Sequence, residues 1–224
     1  MTSLRQPLCI ECGEPADETF VCESHKPDYA DEPGPYFGDL PLHHFGLIAA
    51  DPPWRFKNFS AKGEGKNPIK HYDCMTIDEI KAMPVADLAA PNCALIMWAT
   101  APLLPQGIEV MRAWGFTFKS AGAWAKQSST GEKWAFGPGY CFRSAAEFFL
   151  LGTIGKPPVL SRSIRNLIVA PVREHSRKPN QFISNAEALF PGPRLELFSR
   201  QKRPGWTVWG NETDKFEEIT DESE

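Results

Sequence analysis

Residues 47–56, LIAADPPWRF, constrain this chain more than any other stretch. Phe45 and residues 47–50 are apolar without a polar interruption, the pattern of a strand buried on both faces. Asp51 falls at its carboxyl end. Pro52 and Pro53 cannot continue a hydrogen-bonded ladder and restrict the backbone around them, so the chain must leave the sheet in a stiff, extended turn. That turn fixes where Asp51 and Trp54 point.

A carboxylate, a carbonyl next to proline and a flat aromatic at the mouth of an open sheet fit the exocyclic amine of a planar base. Asp51 would accept one N–H, the Pro52 carbonyl the other, and Trp54 or a neighbouring ring would cover the base. Two such acceptors also stabilise the positive charge that grows on nitrogen as it attacks a methyl group. The plainer alternative is a proline-stiffened turn capped by an aspartate.

Downstream, strand and helix patterns alternate. Thr76, three residues before Glu79, makes a capping box and predicts a helix over residues 76–83. CALIMWA from Cys93 reads as a buried strand, with Trp98 either stacking on a base or filling the sheet edge. Residues 103–114 have helical apolar spacing that stops at Gly115, and residues 120–125 form a further strand. Apolar runs at 145–151 and 166–169, a helix over 179–189 and a strand over 194–199 complete the pattern. Such alternation predicts an α/β domain with an open, mainly parallel sheet and helices on both faces. Ligands in such sheets collect beyond the carboxyl ends of the strands, where Asp51 lies.

DPPW after a buried strand resembles the catalytic motif of the adenine-N6 methyltransferases of the adenosine-methyltransferase 70-kDa-subunit-like family. HYDCMTIDEI from His71, LIMWAT from Leu95, WAK from Trp124, VREHSRKP from Val172, LELFSR from Leu195 and GWTVWGNE from Gly205 match in family order. The resemblance covers residues 37–212 and implies a Rossmann-like, S-adenosylmethionine-dependent methyltransferase fold. It implies methyl transfer to adenine N6 in nucleic acid, Asp51, Pro52, Pro53 and Trp54 being catalytic. By family position Tyr72 would help line the methyl-acceptor pocket and Trp124 and Lys126 would flank the target base; Trp98 is a substrate-site candidate from its own place near a strand end. The cofactor site would take Asp39, Leu40, Asp51, Lys178, Asn211 and Glu212, with Glu196 as a polar contact and Arg200 as its partner. Arg177 departs from the family, which has histidine before this lysine.

The formal charge of −4 is unevenly spread. Residues 1–40 hold nine acids against two bases and residues 212–224 seven against one, leaving twelve acids and twenty-one bases between, a surplus of +9. A basic middle suits a phosphate-tracking surface, although ordinary solvated lysines give the same count. DNA is favoured over RNA because the compact chain resembles bacterial or phage members. A catalytically silent nucleic-acid-binding subunit is the alternative. A homo- or hetero-oligomer is left open.

Cys9, Cys12, Cys22 and His25 have the spacing C-x2-C-x9-C-x2-H in a short polar segment. Two such pairs can close on one structural Zn²⁺, and metal binding would supply the stability that apolar burial cannot. Unpaired thiols or a redox CxxC are the alternatives. Cys74, Cys93 and Cys141 read as core or near-core filler. The expected organisation is a zinc-knuckle segment over residues 1–30, a linker opening the cofactor site over 31–41, the methyltransferase domain over 42–212 and a disordered acidic tail over 213–224. No apolar run approaches a membrane span and residues 1–6 show no signal-peptide core, so a cytoplasmic protein of a bacterial or phage-infected cell is expected.

Two loops stand out. Residues 57–70 carry Gly63, Gly65, Lys57, Lys62, Lys66 and Lys70, as a gate over substrate or a plain surface loop would. Residues 126–144 carry Trp134, Phe136, Tyr140 and Phe142 among glycines, which suits a second gate whose rings hold an extruded base.

Overall fold

The structure, a computed structural model, describes residues 36–55, 74–139, 141–174 and 177–216. The chain divides into two units, Met1–Asp39 and Leu40–Glu224. Of the first, residues 36–39 are described, and they hold Tyr36 and Phe37 with their rings edge to face.

The second unit is built on a seven-stranded sheet. Its strands are β1 (Phe45–Ala50), β2 (Ala89–Ala99), β3 (Thr117–Gln127), β4 (Ala146–Ile154), β5 (Leu167–Pro171), β6 (Arg194–Leu197) and β7 (Thr207–Trp209), in the spatial order β5-β3-β4-β2-β1-β6-β7. β1 runs parallel to both its neighbours, β2 and β6. Flanked on both sides, it is the strand expected from its apolar run, with Phe45, Leu47 and Ile48 fully buried.

The helices α1 (Ile77–Lys81), α2 (Leu104–Ala113) and α3 (Asn180–Leu189) arise from local signals. Thr76 Oγ1 accepts from the Glu79 amide while the Thr76 amide donates to Glu79 Oε2 at 2.7 Å, the reciprocal capping box. α2 ends where Gly115 takes a φ of +79°, a conformation that disfavours a side chain. Period-two alternation places α2 and α3 on opposite faces of the sheet. Leu47, Ala49, Ala94, Ile96 and Trp98 pack with Phe182, Ile183 and Ala186 of α3. The intervening positions Met97 and Ala99, with Leu150 of β4, meet α2 at Gly107, where a Cβ would lie 3.1 Å from both Ala99 Cβ and Leu150 Cδ1. Among the described residues no helix is long and apolar enough to cross a membrane.

The sheet is mainly parallel as expected, and four details go beyond or depart from the sequence-based expectation. β4 runs antiparallel to β2 and β3, so six strands share one direction and the seventh opposes them. The described residues of 128–145 contain no helix, and a direct return without a crossover can only reverse the chain. β7 is a three-residue strand whose pairing with β6 creates it, and so short a segment shows no period. Residues 213–216, expected as disordered tail, fold onto the domain: the Phe216 amide donates to the Arg200 carbonyl at 3.1 Å. Cys93 is buried filler, its thiol pushed up to about 12 by burial, but Cys141 is exposed rather than near-core.

Candidate active site

The turn after β1 is held from both sides. The Asp51 amide donates to the Leu197 carbonyl at 3.4 Å, continuing the ladder with β6, and the Trp54 amide donates to the Pro52 carbonyl at 2.8 Å. Met75, just ahead of the capping box, pairs with the other edge: its amide donates to the Pro53 carbonyl and its carbonyl accepts from Arg55. The Trp54 indole is buried and donates to the Trp98 carbonyl at 3.1 Å. Trp54 therefore anchors the turn to the end of β2.

Asp51 stays at the surface of a cleft with its side chain 27% exposed. Its Oδ2 lies 2.9 Å from Lys178 Nζ, which is also 3.0 Å from Glu147 Oε1. Glu147 Oε2 in turn meets Lys126 Nζ at 2.7 Å. Four side chains, from the turn after β1, from β3, from β4 and from the segment before α3, thus form one alternating chain of charge. At Glu147 and Lys178 burial opposes the charge, but the partners win. Glu147 is held at about 2 by Lys178 and Lys126 despite its burial, and Lys178 is raised well above the usual ammonium range by Asp51 and Glu147. Lys178 Nζ also sits 5.3 Å from the Trp98 ring centroid, and Lys126 Nζ 4.7 Å from that of Trp124.

The cleft has a volume of about 480 Å³ including its open mouth, and Asp51, Arg177, Lys178, Glu196, Arg200 and Arg203 line it. It lies beyond the carboxyl ends of β1, β2 and β6 and against the start of α3, the place where open α/β sheets collect ligands. Arg177 is largely buried, its guanidinium 4.7 Å from the Phe216 ring centroid and 2.9 Å from Glu174 Oε1, while its buried Nε makes no hydrogen bond. Glu196 projects from β6; burial raises its pKa against the pull of Arg203, whose Nε donates to it at 2.9 Å.

The predicted residues divide accordingly. Asp51, Lys178, Lys126, Glu196 and Arg200 gather at or beside the cleft. The ion partner of Glu196 is Arg203, seven residues away on the return of the loop, whereas Arg200, expected in that role, lies over the Phe216 ring. Trp98 and Trp124 are buried: Trp98 lines the floor of the cleft while packing among Trp124, Phe149 and Phe182, and Trp124 donates to the Ala170 carbonyl at 2.9 Å. Leu40 is half-buried and Asn211 and Glu212 sit in the turn after β7, Glu212 paired with Lys215. None of these three lines the cleft. Asp39 belongs to the first unit. Tyr72 and residues 57–70 lie outside the described residues, as do Cys9, Cys12, Cys22 and His25. Among the described residues no cluster of His, Cys, Asp and Glu could hold a metal.

Sequence reasoning missed Glu147. Its signal was present: one acid inside the apolar run AAEFFLL, which on a buried strand must find cations.

The MT-A70 family model matches residues 45–212. The type II methyltransferase M.MunI of Mycoplasma sp is 29% identical over 195 residues, 79% of this chain and 81% of that protein. The N(6)-adenine-specific methyltransferase METTL4 of Homo sapiens is 30% identical over 190 residues, and the N(6)-adenosine-methyltransferase subunit METTL3 of Danio rerio 29% over 178. The matches cover 78% and 77% of this chain but only 39% and 29% of those proteins. With the match to its model running from the first strand through the last, this chain belongs to the MT-A70 family of adenine and adenosine N6-methyltransferases, whose methyl donor is S-adenosylmethionine.

Proposed function

We propose that this chain methylates adenine N6 in nucleic acid, with DNA favoured over RNA. The observation that carries the reading is Asp51: a carboxylate at the carboxyl end of the central strand, on an open cleft, fixed by Lys178 through one oxygen. With Oδ2 held, Asp51 offers Oδ1 to one N–H of the adenine amine. The Pro52 carbonyl, already accepting from Trp54, has a second lone pair for the other. Both acceptors stabilise the charge that develops on nitrogen, and neither must reorient as it does. No residue need form a covalent intermediate. Trp54 acts here by holding the turn.

The cleft fits the methyl donor. S-adenosylmethionine supplies an electrophilic methyl group on a sulfonium when bound. Arg177 and Lys178 offer cations for a carboxylate beside the start of α3, where helix N–H groups add positive potential, and the unsatisfied Nε of Arg177 gains an acceptor. Glu196 offers a buried acceptor to a hydroxyl or ammonium. The family resemblance adds Asp39, Leu40, Asn211 and Glu212 as adenosine contacts and Tyr72 at the acceptor pocket.

M.MunI, a type II methyltransferase matched over most of its length, supports DNA as substrate and a bacterial or phage-infected cytoplasm as the setting. The basic middle of the chain supports a phosphate backbone as partner. The test is transfer of labelled methyl to adenine-containing DNA and RNA by the wild type and Asp51→Ala. Removing the acceptor should cost about 10²–10³ in turnover while leaving cofactor binding intact. Unchanged turnover in Asp51→Ala would defeat the mechanism, and cofactor binding without turnover by the wild type would favour a silent subunit.

A further inference from the structure

Three large aromatic rings stand in solvent on the connection between β3 and β4. Trp134 is 64% exposed, Phe136 80% and Phe142 90%. An unfavourable display of this size in one short segment calls for a partner. The segment is also structured. The Lys126 amide donates to the Ala145 carbonyl, the Ala135 amide to the Lys126 carbonyl and the Gly137 amide to the Ser144 carbonyl, each at 2.8 Å, and Gln127 bridges Trp134. Gly131 turns the tip with a φ of +77°. The result is a hydrogen-bonded arm that presents its rings before any ligand arrives, which lowers the ordering cost of binding.

We infer that this arm stacks on unpaired bases flanking the methyl acceptor, an inference that rests on the nucleic-acid substrate proposed above. Position argues for it. β3 is parallel to β1, so the arm leaves the sheet from the rim that carries Asp51. β3 is three strands from β1. At the usual inter-strand spacing that is about 14 Å. It equals about four nucleotide steps along a stacked strand. The rings at the arm thus meet neighbouring nucleotides rather than the adenine held at Asp51, a different task from holding the extruded base.

Composition argues for bases over a protein surface. Residues 128–145 contain no Val, Leu, Ile or Met; beside rings, glycines and small residues they hold the cations Lys133 and Arg143 and one acid, Glu132. Arg143 lies with its guanidinium 5.5 Å from the Phe136 ring centroid, placing a phosphate-binding group beside a stacking face. Protein interfaces are depleted in lysine, glutamate, serine and alanine, all of which surround these rings, whereas stacking platforms for single strands set aromatics in a polar, cationic groove with arginine. The arm is rooted in the site as well: Lys126 at its start and Glu147 at its end are the pair that continues to Lys178 and Asp51.

The double variant Phe136→Ser and Phe142→Ser tests this in the full chain, both rings being exposed enough that the thermal midpoint should not move. Fluorescence anisotropy reads affinity for a single-stranded adenine-containing oligonucleotide, and labelled-methyl transfer reads kcat and KM on that strand and on its fully paired duplex. We expect affinity for the single strand to fall by about tenfold per ring, KM to rise with it and kcat at saturation to stay unchanged. Unchanged affinity would overturn the inference, as would a fall in kcat at constant KM, which would return the rings to the acceptor. A change in sedimentation mass with unaltered affinity would instead make the arm a subunit contact. An active wild type indistinguishable from the variant sinks the arm alone. A wild type that binds no nucleic acid sinks the functional reading with it.

Discussion

Replacing Glu147 with Gln removes one charge from the ion chain while keeping its shape. Burial would raise this carboxylate, but Lys178 and Lys126 outweigh it and hold it at about 2 against an ordinary 4.5. A gap of that size corresponds to about 3 kcal/mol of native stability, an order-of-magnitude figure for a coupled group. The sign follows from the direction. An acid whose folded value is depressed stabilises fully above its unfolded value, and the contribution is lost as pH falls from about 4.5 towards 2. Urea unfolding at pH 7 should therefore find Glu147→Gln less stable by about 3 kcal/mol. At pH 3.5 the unfolded wild type is mostly protonated at this site and the folded form is not, so the gap should narrow by about 1.4 kcal/mol. Equal midpoints at pH 7, or a gap of the same size at both pH values, would refute the claim that the two neighbouring ammonium groups hold this carboxylate.

Other expectations follow from local geometry. Thr76→Ala removes the capping box of α1 and should cost about 1 kcal/mol in chemical unfolding, with activity largely kept if α1 only positions Met75. Trp54→Phe deletes the bond to the Trp98 carbonyl and leaves that turn less fixed, so stability should fall by about 1 kcal/mol and kcat should drop more than KM rises. A structural Zn²⁺ at Cys9, Cys12, Cys22 and His25 predicts one zinc per chain by elemental analysis, lost in Cys9→Ser with Cys12→Ser. Zinc retained by that double variant would remove the assignment.

How much was legible follows from which residues carry local information. An apolar run ended by Asp51 and two prolines defines a central strand and its exit, because burial on both faces and the loss of ladder donors are properties of those residues alone. The Thr76 and Glu79 pair marks a helix start for the same reason. The partnership of Glu196 was not legible: Arg200 and Arg203 are both within reach along the chain, and the curl of the loop after β6 decides between them. Trp98 and Trp124 looked available for stacking, yet α3 and β4 cover them, which no residue near them announces.

An acid at the carboxyl end of a buried strand, with basic residues elsewhere in the same domain, is readable along the chain, since composition and period are set residue by residue. That Glu147, reversed into the sheet on β4, joins Lys126 and Lys178 to Asp51 comes from the folded arrangement alone. Strand direction depends on how residues 128–145 return, and the energy of a buried charge depends on partners from distant segments.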